Sequence, residues 1–318
     1  MSRTTVVALG GGHGLAATLG ALRHVTDGLT AIVTVADDGG SSGRLRGEYD
    51  VLPPGDLRMA LAALCDDSEW GHLWRDALQH RFPGGGPLGG HALGNLLIVS
   101  LWDLLGDTVT GLETVGRLLG ARGRVLPMAA VPLEITARVR GADPAHPREI
   151  ELVRGQVAVA KSPGEVLSIA LDPPDPPVHA DTVQAVLDAD WVVLGPGSWF
   201  TSIMPHLKVP DLAQALRTTE AGRILTLNLE LNTGETNGFS AADHLQVFAA
   251  HAPQMRLDVV LVDPSVVGSN GQREQLTQAA QAMGARLVVA PVAQLEDGHK
   301  HDTLRLAAAY RDIIDDRR

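Results

Sequence analysis

The segment TTVVALGGGHGL, Thr4 to Leu15, constrains this chain more than any other: an apolar, β-branched run ends in three glycines and passes into a helical pattern at Leu15–Leu22. A glycine turn placed there leaves bare backbone N–H groups at a helix N-terminus, where both the donors and the helix dipole favour an anion. The spacing Gly12-x-Gly14-x-x-Ala17 fits a relaxed dinucleotide fingerprint. Asp37 and Asp38 close the next apolar run, where a ribose-binding acid would stand. The loop Gly10–Leu15 is therefore a candidate phosphate loop, the alternative being a tight turn with no ligand. His13 either touches a phosphate or packs in the turn.

The second apolar run, Thr30 to Val35, lacks alternation, as expected of a parallel strand covered on both faces. Strand, glycine loop, helix and strand make a βαβ unit with a right-handed crossover. Residues 36–58, rich in Gly, Ser, Asp and Pro, show neither period and read as a long functional loop. Helical patterns follow near 57–65, 69–80, 91–105 and 109–120. In 124–172, RVLPMAAVPLEITARV, EIELV and QVAVA read as short strands of a β-rich subdomain, closed by DPPDPP at Asp172–Pro177. Strands are then expected at Trp191–Leu194, Ile224–Leu229, Val259–Val262 and Leu287–Ala290. Helices are expected near 180–188, 210–218, 241–250, 272–282 and 303–314. The fold class is α/β: one domain over 1–318, a Rossmann-like, doubly wound, mostly parallel sheet with a small β-rich insertion at 124–172.

Further loops carry chemistry. In ADDGGSSGRLR, Ala36 to Arg46, Asp37 and Asp38 could hold a hard cation such as Mg²⁺. Ser41 and Ser42 offer donors to phosphate or sugar, and Arg44 and Arg46 could pair with a diphosphate. In PPGDLR, Asp56 is placed to N-cap the following helix and is also free to meet a ligand or metal. GGHALGN puts His91 and Asn95 at the head of an apolar helix, one turn apart; His91 is either satisfied in the core or a ligand or acid/base group. GPGSWFTSI, Gly195 to Ile203, ends another strand in a glycine turn, and Gly197 and Ser198 there suit a second wall of the same cleft. It lacks Gly-x-Ser-x-Gly and so is no nucleophile elbow. NTGETNG, Asn232 to Gly238, follows a later strand. In GHKHD, Lys300 is a candidate anion contact, Asp302 a helix cap, and His299 with His301 only a weak zinc pair.

Composition removes several classes. A net charge of −11 with 3% aromatic residues argues against nucleic acid, which needs positive surfaces or stacking platforms. The single cysteine, Cys65, excludes an internal disulfide and reads as a buried structural thiol. No apolar run reaches the length of a membrane span, and MSRTTVVALGGG has no signal-peptide pattern, so a soluble cytoplasmic protein is expected.

Six stretches in this order, GGGHGL, TVADDGGSSGRLR, VLPPGDLRMALAAL, GHALGNLL, GPGSWFTSIMPHL and TGETNGFSAADH, resemble the YvcK/CofD-like family over almost the whole chain. The uninterrupted DDGGSSGRLR and PPGDLR stretches look closer to the YvcK branch, the gluconeogenesis factors, while NTGETNG and Trp199-Phe200 depart from the usual PGETDG and Leu-Tyr. The resemblance implies a CofD-like fold and a nucleotide-type ligand. In the YvcK branch that ligand is a UDP-sugar such as UDP-N-acetylglucosamine, and the role is regulatory, in cell shape and wall homeostasis on gluconeogenic carbon sources. In the CofD branch the implied activity is a 2-phospho-L-lactate transferase, in which a deazaflavin precursor attacks a guanosine diphospho-lactate with Mg²⁺ and GMP leaves.

Carried over by position, Gly11, Gly12, His13 and Gly14 form the phosphate loop, and Asp37, Asp38 and Asp56 match acidic positions near the transferase metal site. His91, Asn95, Gly197 and Ser198 line the cleft, and Lys300 is a candidate contact to the sugar nucleotide. Ser41, Ser42 and Arg44 complete the expected ligand set. The leading expectation is a nucleotide-sugar-binding regulatory protein with no catalytic residue assigned and no cofactor required. A Mg²⁺-dependent transferase is the alternative, with metal ligands Asp37, Asp38 and Asp56 only in that case; an NAD-dependent dehydrogenase ranks last. Expected partners are a nucleotide sugar or other nucleotide diphosphate, with no nucleic acid, no membrane span and a homo-oligomer left open. Thr303, beside Lys300, is a candidate phosphorylation site.

Overall fold

A computed structural model describes residues 4–232 and 234–316. Among the described residues ten strands form two sheets: β1 Thr5–Gly10, β2 Gly28–Val33, β3 Arg124–Pro127, β4 Glu134–Arg140, β5 Ile150–Arg154, β6 Glu165–Asp172, β7 Trp191–Leu194, β8 Gly222–Thr226, β9 Val259–Val262 and β10 Arg286–Val289. The large sheet has the order β10-β9-β8-β7-β1-β2-β3, and every pairing in it is parallel. Its central strands are buried along their whole length, β7 and β9 without exception, as continuous apolar runs require. The expected α/β, doubly wound architecture is what forms. From β1 the chain moves one way to β2 and β3; after the small sheet it resumes on the other side at β7 and moves outward to β10. The crevice between the C-terminal ends of β1 and β7 is thus a topological switch point, where open α/β sheets place their ligands.

Three expectations change. Residues 36–58 are not one long loop: Gly40–Tyr49 is a helix, and a second runs over Pro54–Leu64. The first has poor helix formers and buries only Ser41, Ser42 and Leu45. Tertiary polar anchors hold it instead, since Arg46 donates to the Leu133 carbonyl (2.8 Å) and Arg44 to that of Gly89 (2.9 Å). Second, the β-rich insertion is narrower than 124–172. Arg124–Pro127 joins the edge of the large sheet beside β2, and the antiparallel sheet β5-β4-β6 covers only 134–172. QVAVA is a short helix, Gln156–Lys161, because Gly155 breaks the strand and Asp38 caps the turn through the Val157 amide (3.0 Å). Third, Asp56 is not an N-cap. Pro54, with its φ preset for a helix, starts the helix two residues earlier and leaves Asp56 in the first turn.

Cys65 is fully buried, and burial pushes its thiol pKa up, as a structural thiol should show. The helix Thr303–Asp315 packs on Gly12–Leu22, and buried Tyr310 hydrogen-bonds Thr226 (2.9 Å) beneath the switch point. Among the described residues no helix is long and apolar enough to cross a membrane.

Candidate functional site

The turn after β1 is shaped for close approach. Gly11 precedes the helix with extended backbone and no side chain caps it, while no acid occupies the first turn. The first intrahelical bond is Leu15 N–H to the Gly11 carbonyl (3.3 Å), so the amides of Gly12, His13 and Gly14 stand ahead of it. Gly12 has φ +56, in the left-handed region that costs other residues about 1–2 kcal/mol. Gly14 packs directly on the β7 turn: a methyl group there would lie 2.8 Å from Gly197 Cα and overlap the Pro196 carbonyl. His13 is exposed at the mouth.

Two carboxyls close one side. Asp37 accepts from the Gly39 amide (2.9 Å) and lies over the first turn of the Pro54–Leu64 helix, since a methyl at Gly55 would come within 3.0 Å of its Oδ2. Asp56, on that turn, lies against Gly11 and is partly buried. Burial first and the charge of Asp37 second push its pKa up to about 7, against the pull of the Gly12 amide and Arg58. Asp38 is placed differently: it is exposed and its Oδ1 is taken by the Val157 amide. Arg58, 4% exposed, is a cation that sequence reasoning left unassigned. Its Nη1 donates weakly to the Leu78 carbonyl (3.5 Å) and its Nε has no partner, while burial lowers its pKa to about 10.

Ser41, His91 and Asn95 are brought together and all are buried. Ser41 Oγ accepts from Asn95 Nδ2 (3.0 Å) and from the Ala92 amide (3.4 Å), so its own proton goes to His91 Nδ1 (3.0 Å). That places the histidine proton on Nε2 and makes the ring neutral. Burial, then Arg44, holds the His91 pKa below its usual value. The core-satisfied alternative for His91 is thus what the hydrogen bonds describe. Ser42 is buried against Gly55, and Arg44 leans on the Gly89–Gly90 turn.

The turn after β7 has its polar groups engaged within the chain. The Gly197 amide donates to Asn228 Oδ1 (2.8 Å), and Asn228 Nδ2 returns a bond to the Gly197 carbonyl (2.9 Å). Glu235 accepts from the Phe200 amide (3.2 Å) at the start of the wide helical turn Trp199–Ile203. Burial pushes the Glu235 pKa up to about 7, and its Oε2 has no partner. Asn228 and Glu235 escaped the sequence reading; the only signal was the position of TGET after a strand. In NTGETNG, Thr233 lies outside the described residues, as do residues 1–3, 317 and 318. Ser198 is exposed at the rim.

Lys300 is not joined to this group. It stands on the loop after β10, paired with Asp297 (2.8 Å), while His299 on the same loop meets Glu230 beyond β8 (2.8 Å). Asp302 caps the following helix through the Leu304 and Arg305 amides, and Thr303 is exposed in its first turn. Among the described residues no three His, Cys, Asp or Glu converge as metal ligands.

A family model described as 2-phospho-L-lactate transferase CofD matches residues 6–293. A Mycobacterium tuberculosis protein named "Putative gluconeogenesis factor" is 54% identical over 95% of this chain and 88% of its own. The Bacillus subtilis "Gluconeogenesis factor" is 32% identical over 97% and 98%. A crystal structure of a Bacillus halodurans protein superposes with a TM-score of 0.85 at 31% identity, covering 98% of this chain and 99% of that one. The fold is that of a CofD-like α/β protein. The chain belongs to the YvcK/CofD-like family, among relatives named as gluconeogenesis factors.

Proposed function

We propose that this protein binds a nucleotide sugar of the UDP-sugar type at the β1–β7 crevice and acts as a cytoplasmic regulatory factor for growth and cell shape on gluconeogenic carbon sources. One observation carries the binding reading: a helix N-terminus with no N-cap side chain and no acid in its own first turn, flanked by Asp56 at the Gly12 amide, opens at the switch point of a parallel sheet. Gly11, Gly12, His13 and Gly14 would receive the diphosphate. Gly197 and Ser198 would form the opposite wall, with Ser41, Ser42, Arg44, His91 and Asn95 shaping the floor and rim. The names of the relatives, gluconeogenesis factors, support the link to gluconeogenic growth, and this reading requires no catalytic residue.

A Mg²⁺-dependent, CofD-type transferase is the second reading, favoured by one feature. Asp37 and Asp56 face each other closely enough for Asp37 to raise the Asp56 pKa, and a divalent cation would reverse that repulsion. These two carboxylates suit Mg²⁺ shared with a diphosphate, whereas Asp38 is committed to Val157. The ion would offset charge on the diphosphate during transfer.

Calorimetric titration with UDP-N-acetylglucosamine and with GDP, each with and without Mg²⁺ across pH 6 to 8, separates the two. For metal-free binding, a protonated Asp56 repels the diphosphate less, so affinity for the UDP-sugar should rise as pH falls through about 7. Mg²⁺-dependent GDP binding that strengthens as pH rises would overturn the regulatory reading in favour of the transferase. Gly12→Val, forced to φ +56, should weaken binding at least about tenfold while circular dichroism shows a folded chain. Undiminished affinity in that folded variant would remove the phosphate-loop assignment.

A further inference from the structure

A second concave surface lies away from the crevice. Residues 49–52, the end of the Leu93–Leu105 helix with the turn to Thr108, and residues 130–132 enclose an open trough of about 420 Å³. Its floor is apolar, with Leu52, Val99 and Trp102 each less than a tenth exposed. Tyr49 stands over one side at 57% exposure. The Trp102 indole N–H is spent on the Thr108 carbonyl (3.0 Å), which fixes the ring as part of the floor.

Every charged residue lining the trough is acidic. Asp50, Asp103 and Asp107 are exposed, and no Lys or Arg lines the trough. No ion pair reaches any of the three among the described residues, as holds also for exposed Asp188 and Asp312; what sets Asp50, Asp103 and Asp107 apart is that they surround one apolar floor. Asp107 spends one oxygen on capping its helix through the Thr110 amide (2.7 Å). Asp50 is the one described non-glycine residue with left-handed backbone, φ +53, and it ends the Gly40–Tyr49 helix at the trough.

We propose that this trough is the docking surface for a basic segment of a partner protein, which seats an apolar side chain on the Val99–Trp102 floor and sets Arg or Lys against Asp50, Asp103 and Asp107. Charge complementarity and shape together select the occupant. An apolar floor alone would accept many occupants, but three carboxylates held in no ion pair around it select a cationic, amphipathic one. The surface is distinct from the nucleotide site: Ser41 and Tyr49 lie at opposite ends of one helix, roughly 12 Å apart along its axis.

Fluorescence anisotropy on the intact protein tests this at physiological ionic strength. The probe is a labelled peptide with a central Leu-Leu pair flanked by arginines; matched peptides carry Glu for Arg, or Gly-Gly for Leu-Leu. The Arg/Leu peptide should bind saturably and both matched peptides much more weakly. Asp50→Asn with Asp103→Asn should weaken it about tenfold or more. Tyr49→Ala, at an exposed position that leaves the core intact, should weaken it about fivefold. Asp188→Asn with Asp312→Asn, equal in charge change and remote from the trough, should change it by less than about twofold. Equal losses in the groove and control pairs, indifference to the Leu-Leu pair, or no saturable binding would overturn the proposal. So would sedimentation showing a dimer that Asp103→Arg dissociates, since the occupant would then be a second copy of this chain.

Discussion

The glycine turns that end β1 and β7 are alike in sequence and unlike in what their amides do. After β1, the His13 and Gly14 amides precede the first intrahelical bond with no N-cap side chain to receive them, while the Gly12 amide is drawn on by Asp56. After β7, the Gly197 amide is held by Asn228 and the Phe200 amide by Glu235. A strand-ending glycine turn is therefore a ligand cradle only when its donors are unspent, and a wall when the chain has used them. The two press together at Gly14, so the wall fixes the cradle's shape.

The largest expected effect comes from breaking that contact. Gly14→Ala would drive a methyl into backbone at Pro196 and Gly197, which no rotamer change relieves. A stability loss on the order of 3 kcal/mol is expected by denaturant unfolding; an unchanged midpoint would mean the turns are not in contact. Next, Asn228→Ala removes both bonds to Gly197 and orphans a partly buried amide and carbonyl. It should cost roughly 2 kcal/mol yet weaken ligand binding less than about fivefold. A larger binding loss at smaller stability cost would make the β7 turn a donor to the ligand after all.

The smallest effect has the opposite sign. Because the Asp56 pKa is raised in the folded chain, the unfolded chain loses its proton first as pH rises, near 4, and the folded chain only near 7. Stability from this group is therefore present below about pH 4 and falls away as pH rises to about 7. Asp56→Asn should be more stable than the parent by on the order of 1–2 kcal/mol at pH 8, the gap closing toward pH 4, as followed by melting curves. A gap that does not change with pH would mean that neither burial nor the charge of Asp37 raises the Asp56 pKa.

Much of this was legible in the chain. Continuous apolar runs such as VVLV at Val259–Val262 announce strands covered on both faces, and GGGHG announces the helix start that the structure leaves uncapped. The helix Gly40–Tyr49 was not legible, because Ser41's bonds to residues 50 and more positions away hold it rather than any periodic apolar stripe. The short edge strand Arg124–Pro127 carries too few residues to show which sheet it joins. Arg58 and Glu235 look like ordinary surface charges in sequence; burial, which the chain does not spell out locally, makes them unusual.

The central place of β1 has a consequence for how the chain comes to be folded. β1 pairs on one side with β2, close behind it, and on the other with β7, some 185 residues later. On a ribosome, β1 and β2 can meet early, but the opposite flank of β1 stays an open edge until β7 has been made. Tyr310, whose hydroxyl reaches Thr226 from the helix Thr303–Asp315, arrives later still. The crevice is thus closed by some of the most distant pairings in the chain, which makes its formation a late and loop-entropy-limited event rather than a local one.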